Sequence, residues 1–181
     1  FQGESFGYAS GGAPGSSNVI DKFPFTSDAN ATDVGDLTVG RYISAGQSSS
    51  TYGYTSGGLL PAQDVIDKFP FASDGNATDV GNLTVARYSL SGQSSEVSGY
   101  AAGGGINSTG MQDVIDKFPF AADSNATDVG DLTQARTSVT GQSSTVSGYA
   151  SAGYKNPPGI RIDTIDKFPF AADGNATDVG D

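Results

Sequence analysis

The hexapeptide Ile-Asp-Lys-Phe-Pro-Phe occurs four times in this chain, beginning at Ile20, Ile66, Ile115 and Ile165. A second string, Asn-Ala-Thr-Asp-Val-Gly, follows it at Asn30, Asn76, Asn125 and Asn175, at intervals of 46, 49 and 50 residues. A third, Gly-Tyr followed by small residues and glycine, returns at Tyr8, Tyr54, Tyr100 and Tyr149. The extra residues all fall between those glycines and the Ile-Asp-Lys-Phe segment. A unit repeated this closely with a period in the forties cannot bury its apolar face alone. It must stack on its neighbours, as propeller blades or solenoid coils do.

Within one unit, read from Leu83, four pieces have strand character: residues 85–95, 99–102, 114–120 and 126–132. In the third, Val114, Asp116, Phe118 and Phe120 share one side by the period-two geometry of a strand. Ala122-Asp123-Ser124-Asn125, like Asp74-Gly75-Asn76 one unit earlier, supplies hairpin-turn chemistry before the fourth. Pro119 places the third strand at an outer or irregularly paired position. No long stretch has the 3.6-residue period of a helix. The sequence therefore predicts an all-β chain, a β-propeller built from four-stranded antiparallel blades. The repeats run about 5–36, 37–82, 83–131 and 132–181, within one domain over 4–181. Phe1-Gln2-Gly3 matches the end of a protease-cleavable tag and is set apart as its remnant.

The order of these pieces resembles the kelch motif. Tyr54, Gly57 and Gly58 stand where a kelch blade has an aromatic residue and the double glycine closing its second strand. Arg41, Arg87 and Arg136 stand where it has the residue opening its innermost strand. The Trp usual in the fourth kelch strand is missing here, and Val34, Val80, Val129 and Val179 are left to fill that layer. The likeness covers nearly all of the chain past Ser5. The wording Asp-Lys-Phe-Pro-Phe, then Asn-Ala-Thr-Asp-Val-Gly-Asp-Leu-Thr, is also similar to repeats in structural proteins of marine bacteriophages. Together these resemblances imply a non-enzymatic structural or recognition propeller, extracellular or on a virion surface.

The Arg-led first strand occurs three times and the other three strands four times. One kelch-like blade therefore lacks its inner strand. An unpaired inner edge exposes backbone donors and acceptors, which predicts self-association or a longer parent chain.

Composition removes most catalytic chemistry. The 181 residues include no Cys and no His, so thiol nucleophiles, imidazole metal sites and Ser-His-Asp triads are out. A serine with no base beside it has no route to activation. Nine Lys and Arg against 20 Asp and Glu give a net charge of -11, which repels phosphate backbones and anionic lipid. No apolar run approaches the roughly 20 residues of a membrane span. The expected partners are thus a glycan or a protein surface, with no nucleic acid, no membrane insertion and no cofactor. Three functions compete: an adhesin-like recognition module, an architectural scaffold with no ligand, and a carbohydrate-active enzyme with paired Asp residues. An inverting pair needs two carboxyls roughly 6.5–9.5 Å apart. Catalysis normally breaks repeat symmetry, and only Asp163 and Glu96 stand outside the repeated framework, which ranks the enzyme last.

Each remaining motif has a structural and a functional reading. Asp28, Asn30 and Asp33 cluster oxygen donors at a spacing reminiscent of calcium loops. They lack the mid-loop glycine and distal glutamate of such a loop, so an Asx-type turn is the expectation and a metal the weak alternative. The Asn-Ala-Thr triplets, with Asn82-Leu83-Thr84 and Asn107-Ser108-Thr109, fit the glycosylation acceptor pattern, though one repeated turn accounts for most of them. Gly46-Gln47-Ser48-Ser49, recurring at Gly92 and Gly141, suits an innermost strand crowded toward an axis, and alternatively a polar channel. In Asp21-Lys22, Asp67-Lys68, Asp116-Lys117 and Asp166-Lys167, one member is expected to face the next blade and meet Arg41, Arg87 or Arg136. The loops 13–18, 59–64, 105–113 and 154–164 vary while the framework does not. Insertions per repeat often mark a binding face. Tyr154, Lys155, Asn156 and Arg161 are the contact candidates, because aromatic, amide and guanidinium groups suit glycan or protein surfaces.

Overall fold

The computed structural model describes residues 5–106 and 110–181. Phe1-Gln2-Gly3 and the triplet Asn107-Ser108-Thr109 lie outside the described residues. Those described contain strands and no helix, and each repeat forms its own antiparallel sheet. The first sheet has β1 (Phe6–Gly12), β2 (Ser17–Pro24) and β3 (Thr32–Asp36). The second has β4 (Ala45–Ser48), β5 (Tyr52–Ser56), β6 (Val65–Pro70) and β7 (Thr78–Asn82) in sequence order. The third begins with β8 (Ser91–Ser94) and β9 (Ser98–Ala102). A separate hairpin, β10 (Gly105–Ile106) and β11 (Gly110–Met111), interrupts it before β12 (Val114–Pro119) and β13 (Thr127–Asp131) complete the sheet. The fourth has β14 (Thr140–Ser143), β15 (Ser147–Lys155), β16 (Ile160–Pro169) and β17 (Thr177–Asp178). None of these sheets closes on itself.

Cross-strand pairing explains the invariant Gly-Tyr and Phe-Pro-Phe strings. Gly53 lies opposite Phe69, Gly99 opposite Phe118 and Gly148 opposite Phe168. A Cβ on any of these glycines would overlap the ring facing it. The next residue, tyrosine, faces the following sheet. Tyr8 stacks on Phe71 at 4.8 Å, Tyr54 on Phe120 at 4.9 Å and Tyr100 on Phe170 at 4.8 Å. The apolar core is accordingly divided into three clusters, one at each junction between consecutive sheets. Each junction also carries a leucine absent from the kelch comparison: Leu37, Leu83 or Leu132, all buried. Val34, Val80 and Val129 pack partly buried against these clusters.

Three details differ from the sequence expectations. The inner strands are short, and Arg41, Arg87 and Arg136 lie ahead of them in the connections rather than on them. The fourth strands are bulged rather than regular: the consecutive residues Ile115 and Asp116 face Gly130 and Asp128, which leaves Val129 as an extra residue, and Val80 is extra in the same way opposite Ile66 and Asp67. The third strands keep their alternation, and Ile115 and Asp116 are both fully buried because each face of the sheet is covered, Ile115 packing toward the fourth sheet and Asp116 toward Thr84 and Arg87.

The third correction concerns charge. Each arginine meets the aspartate of the sheet it leads into, not that of another sheet: Arg41–Asp67 at 2.9 Å, Arg87–Asp116 and Arg136–Asp166 at 2.8 Å. The lysines make the crossing contacts instead, from Lys22 to Asp74 and Lys117 to Asp173 at 2.8 Å, and from Lys68 to Asp123. The hydrogen bond to Asp74 raises the Lys22 pKa, and the one to Asp173 raises that of Lys117. Adjacent strand residues point to opposite faces, which separates the two roles.

Burial pushes the Tyr8 and Tyr100 phenols up and takes Tyr54 up to about 12. Each of the three sits at a different junction. Tyrosinate absorbance in an alkaline titration is therefore expected to go on rising well above pH 10, as Tyr8, Tyr54 and Tyr100 ionise late. Between pH 10 and 12 the folded chain holds more phenolic protons than the unfolded chain, so its stability falls as pH rises through that window. If Tyr54→Phe left the upper end of that titration, near pH 12, unchanged, the buried placement of Tyr54 would be contradicted.

Candidate functional site

The strand order gives the array two ends. At one lie the connections 83–90 and 132–139 and the loops between second and third strands. At the other lie the tight turns β4–β5, β8–β9 and β14–β15. The first end carries the residues predicted from sequence. There the fourth sheet extends its central hairpin well beyond the others, because β15 and β16 pair through Tyr154 opposite Arg161 and Lys155 opposite Ile160. Tyr154 is 37% exposed. Arg161 and Asn156 are exposed and Lys155 half-buried. The Lys155 ammonium donates to Gln134 Oε1 at 3.0 Å, and the Asn156 backbone N–H approaches the Met111 sulfur at 3.1 Å. A backbone bridge between Thr137 and Tyr154 fixes the base of the hairpin.

The structure thus brings the four candidates onto one hairpin tip. Tyr154 and Arg161 are cross-strand neighbours, Lys155 is tethered to the connection beneath, and Asn156 touches the β10–β11 hairpin of the preceding repeat. Exposed Ile43, Leu60 and Ile160 lie at the same end. A ring, an amide, a guanidinium and scattered apolar groups can stack on and hydrogen-bond to a partner surface. They offer no pair of free carboxylates.

The turn residues are engaged in structure. Asp33 Oδ1 accepts from the Gly35 N–H at 3.1 Å, an Asx geometry repeated at Asp79, Asp128 and Asp178. The counterparts of Asn30, namely Asn76, Asn125 and Asn175, each accept a backbone N–H of the preceding sheet at 3.0–3.1 Å. The counterparts of Asp28 are the acids paired with lysine described above. Among the described residues no cluster of three acidic side chains is arranged to hold a metal ion.

The Gly-Gln-Ser strings serve packing, and leave a cleft beside it. The Gln47 amide donates to Ser56 Oγ and to the Tyr100 carbonyl of the next sheet, and Gln93 likewise to Ser91 Oγ and the Tyr149 carbonyl, all at 2.8–2.9 Å. Ser94 Oγ accepts from the Ser48 N–H and Ser143 Oγ from the Ser94 N–H, at 3.0 Å. Past these ties the tight turns line a cleft of about 620 Å³ with Ser49, Ser50, Ser95, Glu96, Ser144 and Thr145. Sequence reasoning placed polar groups on the inner strands but missed this cleft. Its walls come from turns of three repeats, a proximity set by how the sheets stack. Asp163 lies on the hairpin at one end and Glu96 in the turns at the other, so the two non-repeated acids do not converge.

No protein-family model matches the chain, and neither does any curated protein.

Proposed function

We propose that this chain is a non-enzymatic recognition module of the β-propeller type, kelch-like in its blades, that binds a glycan or protein surface through the hairpin tip formed by Tyr154, Lys155, Asn156 and Arg161. One observation carries the reading: this tip departs from the repeat, prolongs its sheet's central hairpin to Lys155 and Ile160, and presents stacking and hydrogen-bonding groups, while Asp33, Asp79, Asp128 and Asp178 serve turns and Asp67, Asp116 and Asp166 buried ion pairs. A propeller is supported by the strand order of the sheets and by the close approach of their inner strands, β4 to β8 and β8 to β14. Such a module suits the outside of a cell or a virion, where its acidity keeps it dispersed in salt. The scaffold reading differs only in giving the tip no ligand. Against the enzyme reading, the two acids outside the repeat, Asp163 and Glu96, lie at opposite ends of the array.

A glycan array tests it. The chain is expected to give hits that disappear when residues 154–161 are replaced by the short loop 13–18, with the unfolding transition unchanged. An array without hits, together with no protein captured through the tip, returns the chain to a scaffold. Polysaccharide turnover abolished by a single Asp change would restore the enzyme.

A further inference from the structure

We infer that the two outermost faces of the array are the halves of one interface, and that a second copy of this chain docks head to tail, the fourth sheet of one copy on the first sheet of the next. This stands apart from the recognition reading and holds whether or not the hairpin tip has a ligand.

The three internal junctions share one set of contacts. A tyrosine packs on the phenylalanine pair of the next sheet, as Tyr54 does on Phe118 and Phe120. A lysine reaches the turn aspartate of that sheet. A backbone N–H reaches its turn asparagine, and in return the alanine after that asparagine donates to a carbonyl, as Ala77 does to Asp36 and Ala126 to Asn82, both at 2.8 Å. A glycine abuts the turn carbonyl, Gly35 on Gly75, Gly81 on Ser124 and Gly130 on Gly174.

Both halves of that set also stand open. Phe23 on the first sheet is 37% exposed and Phe25 43%, whereas the covered Phe69, Phe118 and Phe168 are at most 5% exposed. Beside the open pair lie Asp28 and Asn30, both exposed. The fourth sheet offers Tyr149, Lys167, Gly180 and Asp181. No atom lies within 4 Å of a Cβ built on Gly180, although its three counterparts all meet a carbonyl. Gln142 is exposed where Gln47 and Gln93 are buried. Docking places Tyr149 on the partner copy's phenylalanine pair, Lys167 on its Asp28, and the Asp181 N–H on its Asn30. The complementarity is that of the internal junctions, residue for residue, which makes a second copy the occupant. Such a heterologous contact closes a ring if its rotation returns to the start, and otherwise extends a filament.

Sedimentation velocity of the full chain across the micromolar range, at physiological ionic strength, tests this. The wild-type mass is expected to rise with concentration. Phe25→Asp and Tyr149→Asp each remove one half, so each alone should sediment as one chain, with association weakened at least about tenfold as for a buried aromatic anchor. An equimolar mixture of the two retains one intact contact and should stop at two chains. Neither residue belongs to a described core cluster, and circular dichroism checks that both variants fold. Asp28→Lys, at an exposed residue, and Lys167→Glu, at a half-buried one, give a second pair: each alone weakens association, and mixing them restores it. A wild type of one-chain mass throughout overturns the inference. So does self-association by Phe25→Asp or Tyr149→Asp alone, which would mean like faces pairing or another surface altogether.

Discussion

Replacing Arg87 with alanine is expected to lower the unfolding free energy by about 3–5 kcal/mol, the cost of removing one partner of a buried ion pair. Arg87 and Asp116 are fully buried, so the aspartate left behind would have no water in place of the guanidinium. It would keep only Thr84, whose backbone N–H and hydroxyl donate to it at 3.0 and 2.7 Å. The Gly103 and Ala101 carbonyls would each lose a donor now at 2.9 Å. Arg41 loses less when truncated, because its side chain holds only the Thr55 carbonyl and Asp67. Urea unfolding of Arg87→Ala, Arg41→Ala and Arg87→Lys measures the series. Lysine should recover part of the loss, since it restores the charge but not the fork that reaches two carbonyls and a carboxylate together. An Arg87→Ala midpoint indistinguishable from wild type would show that the pair is not shut off from solvent.

That expectation rests on a feature the sequence half disclosed. Three arginines and four Asp-Lys pairs at fixed phase announce a repeated ion pair, and the repeat alone fixes an all-β array with its turns in the right places. Which partner each charge takes depends on which face of the sheet meets which neighbour, and nothing local marks that. A simple alternation would put Asp116 and Lys117 on opposite faces without saying which face is the junction. In the fold the aspartate's face meets the connection leading into its own sheet, and the lysine's face meets the next sheet. Thr84, which clamps the same carboxylate, stood in the sequence only as the end of a glycosylation acceptor pattern. The hairpin tip was legible because it breaks the repeat. The serine cleft was not, because its walls lie 46 and 49 residues apart in the chain, and only stacking brings Ser49, Ser95 and Ser144 together.

The last expectation concerns the glycines of the inner strands, and it separates packing from backbone preference. A Cβ on Gly92 would overlap the Gly46 carbonyl and crowd the Gln47 amide. That amide is held by Ser56 and by the Tyr100 carbonyl, so it cannot swing aside without leaving them unpaired. Gly141 stands in the same relation to the Gly92 carbonyl and to Gln93. Gly46, third in this column, has no atom within 4 Å of a Cβ, because the first sheet places no inner strand against it. Gly92→Ala and Gly141→Ala are therefore expected to cost about 1–3 kcal/mol each, the range for overpacking a close contact. Gly46→Ala should stay within about 0.5 kcal/mol of wild type. None of the three has the positive φ that would itself demand glycine, so the difference between them reports sheet-to-sheet spacing alone. Thermal unfolding of the three variants decides it. Equal losses at all three positions would mean that strand conformation, and not the approach of neighbouring inner strands, requires glycine there. In that case the inner strands would not be in the close contact on which the propeller reading depends.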